Sequence, residues 1–228
     1  MILKKTICIA GKNAIAVGGL RYIWDKYRHD YDIVAICDQH DSGNDTWQPS
    51  LRKYINKVGI TEVYIEQVYD IDSLIFISLE YHKLINPKKF ATNKLYNIHF
   101  SILPAYKGMF TSAHPILNSE NVSGCTFHVI DKGIDTGNII FQKSFTIDNT
   151  DTSRDLYEKY TKCGLELVEE KISNLIEGDF EEILQPSFGS SYFSNKSINY
   201  EKLELDTRCA AFQLIAQIKA YSFRDYQL

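Results

Sequence analysis

What this sequence is short of narrows it first. No apolar run in its 228 residues approaches the roughly 18 that span a bilayer, so no membrane segment is expected. The start places Lys4 and Lys5 ahead of a short apolar run at 6–10, too brief for the core of a secretory signal. Positive charge is not in excess: 25 Lys and Arg face 29 Asp and Glu, a net charge of -4. That balance argues against a broad basic face gripping nucleic acid. Cysteines at 8, 37, 125, 163 and 209 form no CxxC pair, so a zinc spacing is missing and no metal is expected. Cys8, Cys37 and Cys125 fall in apolar strand-like runs as small hydrophobes, which fits a reducing, cytoplasmic setting. Internal repeats, low-complexity tracts and the GxGxxG, Walker, HExxH and GxSxG motifs are likewise missing. What remains is 44% hydrophobic and 24% charged, an ordinary globular composition for one or two domains.

Short β-rich runs at 6–10, 33–37, 63–65 and 74–78 alternate with amphipathic segments at 13–28 and 47–58. This alternation predicts βαβ units and a parallel sheet. A further strand over 96–100 exits at once into Ser-Ile-Leu-Pro. Two more runs, 125–130 and 139–147, flank a turn-rich loop from Asp131 to Gly137, the composition of a functional loop. A long helix is expected over 152–177, capped by Asp151 or Thr152 and stopped by Gly178. A Ser- and Gly-rich connection over 185–199 then leads to a last amphipathic helix over 208–221. The predicted class is α/β with a mostly parallel sheet over 1–180 and a small C-terminal unit over 181–228.

Two places could carry chemistry. The first βα turn, Gly11-Lys12-Asn13, runs a strand into a helix N-terminus, where free amides and the helix dipole suit an anion. The bland reading of that turn is a tight bend with a solvated Lys12. Asn97 and His99 are two apart in a strand, so an amide and an imidazole share one face. Such a pair suits acyl transfer to an amine: the amide stabilises an oxyanion and the imidazole assists the proton. A carboxylate should orient the imidazole, and Asp135 and Asp131 compete for that role. A lone N-x-H is also often just a satisfied polar pair. His29 and His40 read as solvated, His128 as a hydrogen-bonded strand residue, and His82 and His114 have no partner visible in sequence. Glu169-Glu170 and Glu181-Glu182 read as solvated surface.

The segment Asn97-Ile-His99-Phe-Ser-Ile-Leu-Pro104-Ala-Tyr-Lys-Gly108, followed by Asp131-Lys-Gly133-Ile-Asp135-Thr-Gly-Asn-Ile-Ile, resembles the tetrahydrofolate-dependent formyltransferases. The match runs to about residue 178. It implies a Rossmann-like catalytic domain with N10-formyltetrahydrofolate as cosubstrate and no metal. The triad it implies falls on Asn97, His99 and Asp135, and the folate site on Ser78, Leu79, Glu80, Tyr81, Asp131 and Gly133. Methionyl-tRNA formyltransferases carry a large tRNA-contacting domain, and the glycinamide ribonucleotide enzymes a Gly-Ser-Gly loop; neither feature is seen here. The segments at 11–17, 78–85, 103–118 and 220–228 look instead like the nucleotide-sugar N-formyltransferases.

That branch implies a dTDP-linked amino-dideoxyhexose as acceptor, such as dTDP-4-amino-4,6-dideoxyglucose, for surface polysaccharide (O-antigen) synthesis. It also implies a homodimer contacting through its C-terminal unit. Substrate contacts are expected at Lys12, Asn13, Lys107 and Arg154, with Tyr221 and Phe223 as stacking candidates for the base or simple core aromatics. Ala14 stands where the branch often has Asp, and His114 where Trp is common. The branch's C-terminal segment continues past the equivalent of Leu228, so a truncated C-terminal unit is an expectation. A catalytically silent nucleotide-binding module is the alternative of a different class.

Overall fold

The computed structural model describes residues 5–223; Lys4 and the last five positions of the 220–228 segment lie outside them. β1 (Lys5–Gly11) pairs in parallel with β2 (Tyr31–Cys37), which in turn pairs with the two-residue β3 (Thr61–Glu62). The chain then crosses to the other side of β1 to lay down β4 (Leu74–Leu79) and β5 (Leu95–His99), both parallel. Residues flanked on both sides of a sheet read as continuous apolar runs, and Ile7–Ala10 and Leu74–Ile77 are fully buried. Beyond β5 the direction reverses. With β6 (Lys107–Gly108) set apart, β7 (Val122–Val129) and β8 (Ile139–Thr146) complete a sheet of order β3-β2-β1-β4-β5-β7-β8 by antiparallel pairing. The change of winding direction lies between β1 and β4, where open α/β sheets leave a crevice at the strand ends.

Helices α1 (Asn13–Tyr27) and α4 (Ser153–Glu177) pack together over one face. A capping box sets the start of α4: Asp155 N–H donates to the Thr152 hydroxyl (3.3 Å) and Thr152 N–H to the Asp155 carboxylate (2.9 Å). Its end is the left-handed Gly178, φ 76°. Leu156, Tyr160, Leu167, Ile172 and Leu175 form the buried stripe, and Tyr160 stacks flat on Phe100 at 5.3 Å. The smaller helices are α2 (Leu51–Val58) and α3 (His114–Leu117). After α4, Ile183 exchanges both backbone hydrogen bonds with Ile139 at 2.8 Å. β9 (Tyr192–Phe193) then pairs with β6, and α5 (Ala211–Tyr221) packs on α3 and α4. Ile198 and Ala220 join the same apolar core as the sheet. No helix among the described residues is long and apolar enough to cross a membrane.

Among the expected boundaries that differ, three have a clear local cause. The strand expected at 63–65 is β3 at Thr61–Glu62, followed by a 3-10 turn at Ile65–Val68. Gln67 closes that turn by accepting the Tyr64 N–H at 2.7 Å, so the apolar residues there bend instead of extending. α2 starts at Leu51, not 47, because Ser50 caps it through the Lys53 N–H at 3.0 Å. α5 starts at Ala211, not 208, where Gln213 accepts the Ala210 N–H at 3.0 Å.

The meeting of β1, β4 and α4 is tight and polar at its edge. A Cβ on Gly11 would lie 2.0 Å from the Leu79 carbonyl oxygen, so only glycine lets the two strand ends approach this closely. One residue on, Glu80 accepts from the Tyr157 hydroxyl at 2.8 Å and the Asn13 amide at 3.4 Å. Burial pushes its carboxyl up to about 7, although the Tyr157 hydroxyl, the Lys12 charge and the Asn13 amide oppose the rise.

Two outcomes follow from this junction. Gly11→Ala should destabilise the fold by about 2 kcal/mol or more, read as a lower urea midpoint; an unchanged midpoint would refute the close-approach argument. Folded Glu80 holds its proton to a higher pH than unfolded Glu80, so its contribution is full below the unfolded value and is lost as pH rises through about 7. Across pH 5 to 8, wild type should therefore lose stability relative to Glu80→Gln, measured by urea denaturation. A pH-independent difference would mean that the carboxyl is ionised throughout.

Candidate active site

Asn97 and His99 leave β5 on one face, as their spacing dictates, and the antiparallel register sets His128 of β7 directly opposite Asn97. His128 Nδ1 lies 2.8 Å from the Val129 carbonyl, which can only accept, so that nitrogen carries the hydrogen. Its Nε2 lies 3.0 Å from the Asn97 amide nitrogen. His99 is oriented in the same manner: its Nε2 donates to the Tyr106 carbonyl at 2.7 Å, which turns Nδ1 toward Asp135 Oδ2 at 3.4 Å.

Asp135 is the carboxylate that the two imidazoles share. Its Oδ1 lies 3.4 Å from His128 Nε2, and its Oδ2 accepts the Gly108 N–H at 2.9 Å. Burial alone would raise its pKa, but the charges of His99 and His128 and the donors from His128 and Gly108 outweigh it, so the carboxyl sits far below the usual range. Burial draws His99 down, with the Asp135 charge opposing. Asp131, the rival carboxylate, has a different task. It accepts from the Gly133 N–H (2.9 Å) and the Thr136 hydroxyl (2.7 Å), which folds the loop and presents Asp135 in a left-handed conformation, φ 54°.

A cavity of about 130 Å³ opens beside this cluster, lined by Asn97, His128 and Asp135 together with Ser78, Tyr81, Asp131 and Gly133. Its apolar wall is Leu84, Ile85, Ile130 and Ile134. Two residues expected there point elsewhere. Leu79 is fully buried in the main core, and Glu80 turns to the opposite side of the β4 end, toward Asn13 and Tyr157. Alternation turns Leu79 away from the face that Ser78 presents, and Glu80 lies beyond the strand end in a left-handed conformation, φ 58°, which takes it off that alternation.

The expected substrate contacts separate into three places. Lys12 and Asn13 line a second cavity of about 60 Å³ at the start of α1, with His40 and Gln48. Arg154 pairs with Glu158 at 3.2 Å, and its guanidinium lies 5.5 Å from the Trp47 ring centre. Phe223 packs edge-on against Trp47 (5.4 Å) and Tyr157 (5.5 Å), while Tyr221 is a partly buried residue at the edge of the core. Lys107 is not free to meet a substrate: it is buried, and its ammonium donates to Ser190 Oγ at 2.8 Å. The useful group of β6 is instead the Gly108 N–H that meets Asp135.

His128 is hydrogen-bonded in its strand as expected, though spacing gave no hint of its place beside Asn97 and Asp135; His40 is largely exposed, as expected, and His82 has a partner that the sequence did not reveal. His40 and His82 both contact one buried carboxylate, Asp38. Among the described residues, Asp38, His40 and His82 are also the set whose ligand-type atoms come within 4.8 Å of one another. The separations of 2.9 and 2.5 Å between imidazole nitrogen and carboxylate oxygen are those of hydrogen bonds.

Residues 49–172 match the formyl transferase family model. The fold superposes on the sugar 3-N-formyltransferase WlaRD, whose structure was solved with dTDP and 5-N-formyltetrahydrofolate, with a TM-score of 0.92 and 44% identity over 96% of this chain and 79% of that one. It superposes equally on an N-formyltransferase from Helicobacter canadensis in complex with folinic acid and dTDP-3-aminofucose, with a TM-score of 0.91 and 42% identity over 96% of this chain and 80% of that one. The methionyl-tRNA formyltransferase of Fervidobacterium nodosum is 28% identical over 84% of this chain, which spans 64% of that protein's length. On the family match and on a likeness to sugar N-formyltransferases that extends along nearly its whole length, the chain belongs to the formyl transferase family.

Proposed function

We propose that this chain transfers a formyl group from N10-formyltetrahydrofolate to the amine of a dTDP-linked amino-dideoxyhexose. The observation that carries the reading is the placing of Asn97 and Asp135 on the lining of a cavity with an apolar wall, with His99 buried behind them 3.4 Å from the Asp135 carboxylate. That lining suits a flat heterocycle with hydrogen-bonding edges, and Ser78, Tyr81, Asp131 and Gly133 are the residues placed to hold it. A 3-amino sugar is the form of the acceptor that WlaRD and the Helicobacter protein support, so it precedes the 4-amino sugar as first substrate to test. The lower identity to a methionyl-tRNA enzyme and the net charge of -4 weigh against a tRNA acceptor.

In this reading the neutral sugar amine attacks the formyl carbon, and the carbonyl oxygen gains negative charge. Asn97 stands on the cavity wall as the donor to that oxygen, its amide held in place by His128. Such a donor is worth roughly 3–4 kcal/mol in the transition state. A proton must leave the amine as its new C–N bond forms and reach N10 of the folate as the old one breaks. His99 shuttles that proton, and the ionised Asp135 carboxylate, 3.4 Å from its Nδ1, orients the ring and offsets the charge it gains.

The base would rest among Trp47, Tyr157 and Phe223, which makes the C-terminal residues 181–228 part of the acceptor site. Phe212, Ile215 and Ile218, exposed along α5, supply the apolar surface for a homodimer. The free thiols at 8, 37, 125, 163 and 209 suit a cytoplasmic enzyme, whose formamido sugar would enter surface polysaccharide.

Asn97→Ala, and likewise His99→Ala, should lower kcat about 10²–10³-fold with little change in either KM. Asp135→Asn should behave similarly. The measurement is tetrahydrofolate release with a dTDP-3-amino-3,6-dideoxyhexose. Near-normal turnover in Asn97→Ala and His99→Ala would overturn the assignment.

A further inference from the structure

The connection that follows α4 turns inward at one residue. From Glu181 to Ser190 every position is exposed except Gln185, which is half-buried. The two backbone bonds between Ile183 and Ile139 set residues 183–185 antiparallel to 139–137. Two residues past that bridge the Gln185 side chain takes over the pairing: its amide nitrogen donates to the Asp135 carbonyl at 2.9 Å and to the Gly137 carbonyl at 2.7 Å. Carbonyls only accept, so the nitrogen is the end of the amide that faces them, and both of its hydrogens are used. The other end has no such reward. Oε1 is buried and meets no donor among the described residues. An acceptor left in that state costs free energy, and an apolar side chain of similar length would fill the space without that cost. Packing alone therefore gives no reason for an amide here.

The loop that Gln185 grips is the one that presents Asp135. At φ 54° Asp135 is left-handed, a conformation that a residue with a side chain keeps only where its surroundings enforce it. From within the loop, Asp131 fastens Gly133 and Thr136; the carbonyl of Asp135 is fastened from outside, by Gln185. Gly137 supplies a fixed point, because it lies so close to the end of β7 that a Cβ there would come 1.8 Å from the Val129 carbonyl oxygen. Bridging residues 135 and 137 thus anchors the left-handed residue to the sheet. The direction of the Asp135 carbonyl follows from the same backbone angles that aim its carboxylate. That carboxylate has three contacts to keep: the Gly108 N–H at 2.9 Å, and His99 and His128 at 3.4 Å each.

We propose that Gln185 is a positioning residue of the formyl-transfer centre, holding the Asp135 carboxylate toward His99 by gripping the Asp135 and Gly137 carbonyls. It stands outside the lining of the cavity that Asn97 and Asp135 face, so its effect reaches the reaction through Asp135. A loss of that hold falls on turnover, not on substrate affinity. The role in turnover rests on the formyltransferase reading; the hold on Asp135 does not.

The experiment measures formyl transfer to a dTDP-3-amino-3,6-dideoxyhexose by wild type, Gln185→Met, Gln185→Asn, Asp135→Asn and the Gln185→Met, Asp135→Asn double variant. It also follows the His99 imidazole across pH by NMR in wild type and Gln185→Met. Methionine fills the space of glutamine without a donor. Gln185→Met should lower kcat about tenfold and leave the KM of the nucleotide sugar unchanged. Gln185→Asn, which keeps the amide on a shorter stem, should lower kcat less. In the Asp135→Asn background the methionine substitution should change kcat by less than about twofold, because the group it positions is gone. The Asp135 charge opposes the burial that draws His99 down, so a loosened carboxylate should move the His99 titration to lower pH. A normal kcat in Gln185→Met, an equal loss in both backgrounds, or an unmoved His99 titration would overturn the proposal. If Gln185→Met does not fold, Gln185→Asn carries the same cycle with Asp135→Asn. A wild type that transfers no formyl group, with a His99 titration that still shifts in the variant, would overturn the formyltransferase reading and leave the hold on Asp135 standing.

Discussion

The charge on Asp135 is the constraint around which the site is built. A carboxylate this buried is unstable without compensation, and the compensation arrives from three separate strands: His99 on β5, His128 on β7 and the Gly108 N–H on β6. Each donor is positioned by something else in turn. His99 is held by the Tyr106 carbonyl, His128 by its own neighbour's carbonyl, and the Asp135 loop by Asp131. The orientation of Asn97 is tied to the same network, since its amide nitrogen lies 3.0 Å from the His128 ring nitrogen that faces Asp135.

The molecule uses one arrangement twice, with opposite exposure. At Asp135 the two imidazoles are 9% and 4% exposed; at Asp38 they are 60% and 29% exposed. Buried imidazoles respond to small changes in neighbouring charge, which suits the handling of a proton. The exposed pair instead ties the ends of β2 and β4 together through the one carboxylate. The difference is topological. Asp135 sits where the sheet turns antiparallel and is roofed by its own loop, whereas Asp38 ends a parallel strand at the open crevice.

What the sequence made legible was periodic or contiguous. The alternation of strands and helices, the cap and stop of α4, and the shared face of Asn97 and His99 all follow from spacing along one element. What it concealed depends on register and on loops that meet in space. His128 faces Asn97 only through the antiparallel register of β5 and β7. Asp38 and His82 come together from two different strand ends. Asp131 and Asp135 were equivalent on composition, and only the Asx-type turn that Asp131 closes separates them. Lys107, expected as a substrate contact on the resemblance, is buried where β6 pairs with β9.

The pairing of β6 with β9 also bears on how the site comes into being. Residues 192–193 hold the very strand whose Gly108 N–H meets Asp135, and Gln185 donates to the carbonyls of Asp135 (2.9 Å) and Gly137 (2.7 Å). A chain emerging from the ribosome can therefore form its sheet and α4 and still lack a finished centre. Completion waits for a segment synthesised after every strand of the main sheet, which places assembly of the reactive cluster among the last events of folding.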